Sequence, residues 1–363
     1  MSTSPNAPDF AAPASPPWSS DRDETLRCVQ VRQETHDVKT FVLAAQGPRS
    51  FRYLPGQFIT LELDIAGSKI NRCYTLSSTP TRPDLVSITV KRVPGGTVSN
   101  WLHDNLRPGM SLGVIGPAGE FSCFKAPAQR YLFLSGGSGV TPLMSMTRAL
   151  HDLGSDADVV FVHCARSPAD VLFQEELTLM ARNMAQLRLA TVCEQHTPGS
   201  AYAGHLGRMD AARLAHIAPD FLQRDVYTCG PAPFMAAVRQ LLASAGYDMQ
   251  RYREESFSFA DLTAPPAPQE TADGGASVYS IQLQKMGQSF SCRSDQTILQ
   301  AATAAGFRLP SSCSSGICGT CKTKKISGQV EMKHAGGIRP REIDQGWMLP
   351  CCSKPLGDVA LDR

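Results

Sequence analysis

Cys313-Ser314-Ser315-Gly316-Ile317-Cys318-Gly319-Thr320-Cys321, answered thirty residues later by Cys351, decides how this 363-residue chain is read. Three cysteines spaced C-x4-C-x2-C, with a fourth far downstream, are the ligand pattern of a plant-type [2Fe–2S] cluster. Four thiolates must converge on two irons, so a tight loop supplies three and a neighbouring segment the last. Gly316 and Gly319 lie between the ligands, where the backbone takes unusual dihedrals and brings its N–H groups near the sulfurs. A structural zinc site would pair one short C-x2-4-C unit with another, and no second unit is present. Cys352, next to Cys351, is the rival for the fourth position.

Around this loop, residues 278–363 read as a small α+β unit. Residues 278–283 and 289–293 form a hairpin, 296–305 a helix closed by Gly306, 322–326 and 329–333 a second hairpin, and 358–361 the final strand. Residues 260–277 hold Pro265, Pro266, Pro268 and Gly274-Gly275, the composition of an interdomain tether.

Upstream, residues 127–259 alternate strand and helix. Strands are expected at 131–135, 159–164, 187–193 and 226–229, and helices at 169–183, 210–216 and 232–245. This is the pattern of a doubly wound α/β domain, whose ligand lies beyond the carboxyl ends of the strands. Gly136-Gly137-Ser138-Gly139-Val140-Thr141-Pro142 opens a helix there, with Thr141 as the predicted N-cap and Pro142 at the first helical position. Its glycines let a pyrophosphate approach the helix N-terminus, although the loop is not G-x-G-x-x-G. Ser167 to Asp170 predicts a capping box for the helix at 169–183. Cys229-Gly230-Pro231 stands at another strand end, so Cys229 is either a core thiol or a site residue. Arg166 either holds the 2′-phosphate of NADPH or is a solvated loop residue, which leaves NADH and NADPH open.

Residues 23–126 read as a small antiparallel β-barrel, with strands at 26–35, 38–45, 57–65, 70–78, 85–93 and 111–115 and one helix at 98–105. Within it, Arg72-Cys73-Tyr74-Thr75 puts Arg72 and Tyr74 on one strand face and Thr75 on the other. An arginine grips phosphate bidentately, a tyrosine offers a flat face to a ring, and a hydroxyl can bond a ring nitrogen. That set suits a flavin. Gly95-Gly96-Thr97-Val98-Ser99 places free N–H groups at a helix start, where an anion such as the flavin phosphate is favoured. An arginine and a tyrosine alternating on an exposed strand is the plain alternative.

The remaining bounds are negative. Residues 1–22 are rich in Pro, Ala and Ser and read as a disordered tail without a signal peptide. A net charge of +2 and the lack of basic runs point away from nucleic acid, and no apolar stretch is long enough for a membrane span. Twelve cysteines in a chain of this length are expected to stay reduced in the cytoplasm.

Flavin barrel, nucleotide domain and iron–sulfur domain, in that order, resemble the ferredoxin–NADP⁺ reductase superfamily fused to a plant-type, β-grasp ferredoxin. The resemblance rests on R-x-Y-T at 72–75, G-G-x-x-S at 95–99, G-G-x-G-x-T-P at 136–142, C-G-P at 229–231 and the four cysteines. It implies that Arg72 contacts the flavin pyrophosphate, Tyr74 lies against the isoalloxazine and Thr75 bonds near N5. By the same resemblance Gly96 and Ser99 hold phosphates, while Ser77 and Lys91, in these stretches, count as cofactor-binding. Gly136, Gly137, Gly139 and Thr141 would carry the nicotinamide cofactor, Cys229 with Gly230 and Pro231 would lie near its ring, and Glu255 and Phe257 would cover the flavin. It also favours Cys351 over Cys352. More narrowly, 90–104, 254–257 and 316–322 are similar to reductase subunits that serve Rieske-type oxygenases acting on quaternary amines such as glycine betaine. The implied activity is hydride transfer from NADH (or NADPH) to FAD (or FMN), then single electrons through the cluster to the oxygenase. Other acceptors (a hybrid-cluster protein, a di-iron or a haem monooxygenase) keep the same chemistry, whereas a redox-sensing module would need neither flavin nor nucleotide.

Overall fold

The structure, a computed structural model, describes residues 15–196, 202–257, 277–307, 309–311 and 314–363. The first unit has strands β1 (Thr25–Thr35), β2 (Val38–Ala45), β3 (Phe58–Ile65), β4 (Ser68–Thr75) and β5 (Val86–Lys91), helix α1 (Thr97–Asn105) and strand β6 (Ser111–Ala118). They form one antiparallel sheet in the order β4-β3-β6-β1-β2-β5. A bridge from Leu76 to Ile88 joins its two edges, which curls the sheet into the expected barrel. Leu26, Phe41, Leu61, Leu76 and Ile88, from alternating positions of five segments, fill its interior and are fully buried. The disordered tail read at 1–22 is corrected over its described part, residues 15–22. Trp18 is buried against Phe51, its backbone N–H donates to Ser50 O at 2.8 Å, and the strap it belongs to runs along the barrel.

The second unit runs β7 (Arg130–Gly136), α2 (Val140–Asp152), β8 (Asp158–Ala165), α3 (Gln174–Asn183), β9 (Leu187–Cys193), β10 (His205–Leu206), α4 (Ala211–Ile217), β11 (Asp225–Gly230), α5 (Ala232–Ser244) and β12 (Tyr252–Ser256). Its parallel sheet has the order β10-β9-β8-β7-β11-β12. The direction of winding reverses between β7 and β11, so a crevice opens at their carboxyl ends. Three local expectations fail here. Thr141 is not an N-cap: a 3₁₀ turn over Gly137–Gly139 precedes α2, and the buried Thr141 hydroxyl donates to Ser138 O at 3.1 Å. Pro142 therefore sits inside the first turn, where its missing N–H costs nothing. The helix expected from 169 starts at Gln174, because the Ser167 hydroxyl turns to Asp170 Oδ2 at 2.7 Å and Phe173 adopts φ 56°.

The third unit comprises β13 (Val278–Leu283), β14 (Gln288–Arg293), α6 (Ile298–Ala304), β15 (Thr323–Ser327), β16 (Val330–Met332), α7 (Pro340–Asp344), β17 (Trp347–Met348), β18 (Ser353–Pro355) and β19 (Val359–Leu361). Its mixed sheet has the order β14-β13-β19-β15-β17. Thr297 caps α6 in a capping box with Gln300. The second hairpin does not form. β15 pairs with β17 and β19, and β16 with β18. At the turn, Gly328 (φ 90°) lies so close to the Asp358 backbone that a Cβ would stand 2.2 Å from its carbonyl oxygen. The tether read at 260–277 lies, apart from Ser277, outside the described residues. No helix among the described residues is long and apolar enough to cross a membrane.

Candidate functional site

At the cluster loop, Gly316 and Gly319 take φ of 73° and 70°, the left-handed region that a tight turn between ligands requires. Cys318, Cys321 and Cys351 are buried, and Cys321 Sγ lies 3.2 Å from Cys351 Sγ although thirty residues separate them. Cys352 Sγ lies 3.6 Å from Leu349 O and close against Gly316, so both downstream cysteines border the loop, and Cys351 is the one whose Sγ meets that of Cys321. Ser315 Oγ is buried in this loop with no partner. An orphaned hydroxyl among converging buried thiols fits a sulfide-bridged cluster. Cys313 lies outside the described residues.

On β4, Tyr74 packs half-buried against the barrel core, and Arg72 is half-buried beside it in alternation. Thr75 faces the other way and donates its hydroxyl to Glu255 Oε2 at 3.4 Å. Glu255 is carried by β12, a strand the sequence did not announce, and pairs in register with Cys229 on β11. Burial of the Glu255 carboxyl pushes its pKa up to about 8. Cys229 is fully buried, and burial, helped by the nearby Glu255, pushes its thiol up as well. A 480 Å³ cavity lined by Phe58, Gly119, Glu255, Ile317 and His334 opens where all three units meet. Ser77 corrects an expectation: its hydroxyl donates to Ser87 O at 3.2 Å and bonds Thr89 Oγ1 at 2.9 Å, so it braces the barrel interior. Ser99 likewise holds its own turn, accepting from Val93 N at 3.2 Å, while α1 starts at Gly96 with no side-chain cap and its first N–H groups available to an anion. Phe257 is exposed at the end of a described segment.

The crevice at β7 and β11 is a 450 Å³ cavity lined by Lys91, Gly136, Gly137, Ser138, Arg166, Asp170, Pro231 and Phe234. Its floor has no room for side chains. A Cβ on Gly139 would stand 2.3 Å from Cys229 O, and one on Gly230 2.7 Å from the Phe234 ring. Gly137, by contrast, takes φ 52° with nothing near its Cβ position, so its backbone faces open space. This cradle fits a pyrophosphate. Lys91 comes from the barrel and serves this pocket, its Nζ 2.7 Å from Asp37 Oδ2. Arg166 is tied to Asp170 at 2.7 Å and to Asp37 at 3.4 Å. Burial would raise the carboxyls of Asp37 and Asp170, but Lys91 beside one, and Ser167 and Arg166 beside the other, hold both below the usual range. Asp37 gave no signal in the sequence, because it sits in a barrel turn 129 residues from Arg166.

Three family models match in chain order: an oxidoreductase FAD-binding domain over 25–123, an oxidoreductase NAD-binding domain over 133–240, and a 2Fe-2S iron-sulfur cluster binding domain over 281–356. The glycine betaine monooxygenase reductase subunit of Pseudomonas aeruginosa is 45% identical over 359 residues, spanning 95% of this chain and 96% of that protein. The chain belongs to this reductase family. Another member, the stachydrine N-demethylase reductase subunit of Rhizobium meliloti, is 43% identical, spanning 95% of this chain and 97% of that protein. The solved structure of phthalate dioxygenase reductase shares the fold, with a TM-score of 0.54, 24% identity, and 95% of this chain against 99% of that one. Like its family, the chain is an oxidoreductase with FAD-, NAD- and 2Fe–2S-binding domains.

Proposed function

We propose that the chain is the reductase component of a two-component monooxygenase, drawing electrons from NADH and delivering them to a Rieske-type oxygenase that demethylates or hydroxylates a quaternary amine such as glycine betaine. The observation that carries this reading is β4, which brings Thr75 to Glu255 and the Cys229 strand end at one position and touches the cluster loop at another. A bound flavin converts the two-electron donor into single electrons, which a bound [2Fe–2S] cluster relays.

The chain's own residues do the rest. Gly136, Gly137, Gly139 and Thr141 form the cradle for the nicotinamide cofactor's pyrophosphate, and Cys229 with Gly230 and Pro231 borders the place of its ring. Arg166, paired with Asp170 and Asp37, is less available to a 2′-phosphate, which favours NADH over NADPH. Tyr74 offers the flavin ring its face, Arg72 and the start of α1 from Gly96 to Ser99 take the phosphates, and Thr75 is directed at the reactive edge. Glu255 Oε2, neutral at neutral pH, can hold a proton beside Thr75. Phe257 borders the same site. Cys313, Cys318, Cys321 and Cys351 hold the metal. The compartment is the cytoplasm.

The test is anaerobic reduction followed by coupling. The purified protein should show a flavin band and cluster absorbance that NADH bleaches. With a co-purified Rieske oxygenase it should drive NADH-dependent formaldehyde release from glycine betaine or stachydrine. A colourless protein would sink the electron-transfer reading, and turnover only with a haem or di-iron acceptor would sink the amine-oxygenase reading.

A further inference from the structure

Glu62 on β3 and Asn71 on β4 are cross-strand partners, so their side chains leave the same face of the barrel. The iron–sulfur domain covers that face. Asn71 Nδ2 donates to the Cys318 carbonyl at 3.0 Å, inside the cluster loop. Glu62 accepts from Arg339 and lies 3.7 Å from Lys322 Nζ. Arg339, from the residue before α7, is only 5% exposed, and its whole guanidinium is engaged. Besides Glu62, it donates to Val114 O at 3.1 Å, to Ser20 O at 3.0 Å and to Glu342 Oε1 at 3.3 Å. Two residues on, Arg341 donates to Asp21 O at 2.7 Å and pairs with Glu24. Both arginines therefore reach the strap that precedes β1.

We propose that Arg339, together with Asn71, is a positioning residue that fixes the iron–sulfur site relative to the flavin site. The reading of Tyr74 and Thr75 as the flavin face and of Cys318 as a cluster ligand underlies it. Asn71, Cys73 and Thr75 share one face of β4, so a single strand separates the loop contact from the Glu255 contact by about 13 Å. A lysine could meet one of the four acceptors of Arg339, but only a planar fork meets them together. Removing the fork leaves Glu62 and Glu342 facing each other across a buried boundary with only Lys322 between them.

The experiment is stopped-flow reduction of the Arg339→Met holoenzyme by NADH, with flavin and cluster absorbance followed separately. Flavin reduction is expected to proceed at the wild-type rate, while cluster reduction slows at least about tenfold, as for any misplacement of an ångström or so. Arg339→Lys should recover part of the loss, and the paramagnetic signature of the reduced cluster should be unchanged. Cluster reduction at the wild-type rate, in a variant that keeps both chromophores, would overturn the proposal. Should Arg339→Met lose its cluster, Asn71→Leu leaves the ion pairs intact and decides the matter by the same criterion. Absence of flavin or cluster from the wild-type protein would instead strike the functional reading.

Discussion

The barrel meets the nucleotide domain and the iron–sulfur domain with the same chemistry, an arginine crossing to acidic partners, yet the two junctions differ in water. The Arg339 side chain is 6% exposed and that of Arg166 is 61% exposed. An exposed pair contributes about 0–1 kcal/mol and is screened by salt. Breaking a buried one strands its carboxylates and costs about 3–5 kcal/mol. The wet junction borders a pocket whose occupant must enter and leave at every turnover. The dry one borders sites that both stay with the protein. Charge thus tunes selection on one side of the barrel and geometry on the other.

The sharpest way to separate the two junctions is Cys318→Ser. It is expected to abolish cluster absorbance and cytochrome c reduction while NADH–ferricyanide turnover continues, and parallel loss of both activities would show that the junctions do not act independently. Next in size is a pH effect at the flavin site. With its pKa raised from 4.5 to about 8, Glu255 keeps in the folded state a proton that the unfolded chain has released. Its contribution to stability is complete below pH 4.5 and is lost as pH rises towards 8, by at most about 1.4 kcal/mol per unit. Glu255→Gln should therefore flatten the fall in Tm between pH 5 and 8, and curves parallel to the wild type would mean that Glu255 is already ionised. The smallest change is expected in the wet pocket. Asp170→Asn frees Arg166 and should raise kcat/KM for NADPH relative to NADH by no more than about fivefold, the worth of one exposed pair. A larger change would move that junction into the dry class.

Motifs whose chemistry is local could be read from the sequence. The cysteine spacing marked the loop at 313–321 and left two downstream candidates, between which only the family resemblance chose, and the apolar run at 131–135 with its glycines marked a strand that ends in a glycine turn. What escaped was set by distant partners. Ser167 resembled a helix cap until Asp170 took its hydroxyl. Glu255 was expected at the flavin, but its strand and its pairing beside Cys229 were not, and Asp37 joins the pocket only because the barrel turn abuts Arg166. Residues 329–333 alternated well enough for a hairpin, but β19 inserts next to β15 and claims its edge. Ser77 failed for the opposite reason: it belonged to the right motif and pointed inward.

One feature of the dry junction bears on protein engineering. Gly336 packs so closely on the barrel that an added Cβ would stand 2.3 Å from the Ala118 methyl, and Gly319, beside Asn71, is held as tightly within its own domain, its Cβ position 2.3 Å from Gly337 O. Chimaeras that graft a foreign electron-relay module onto this reductase will therefore tolerate variation on the module's outer surface. They are expected to transfer electrons best when the donor sequence keeps those two glycines and an arginine in register with Glu62. Compatibility between interchangeable modules can thus be screened at three positions before any gene is built.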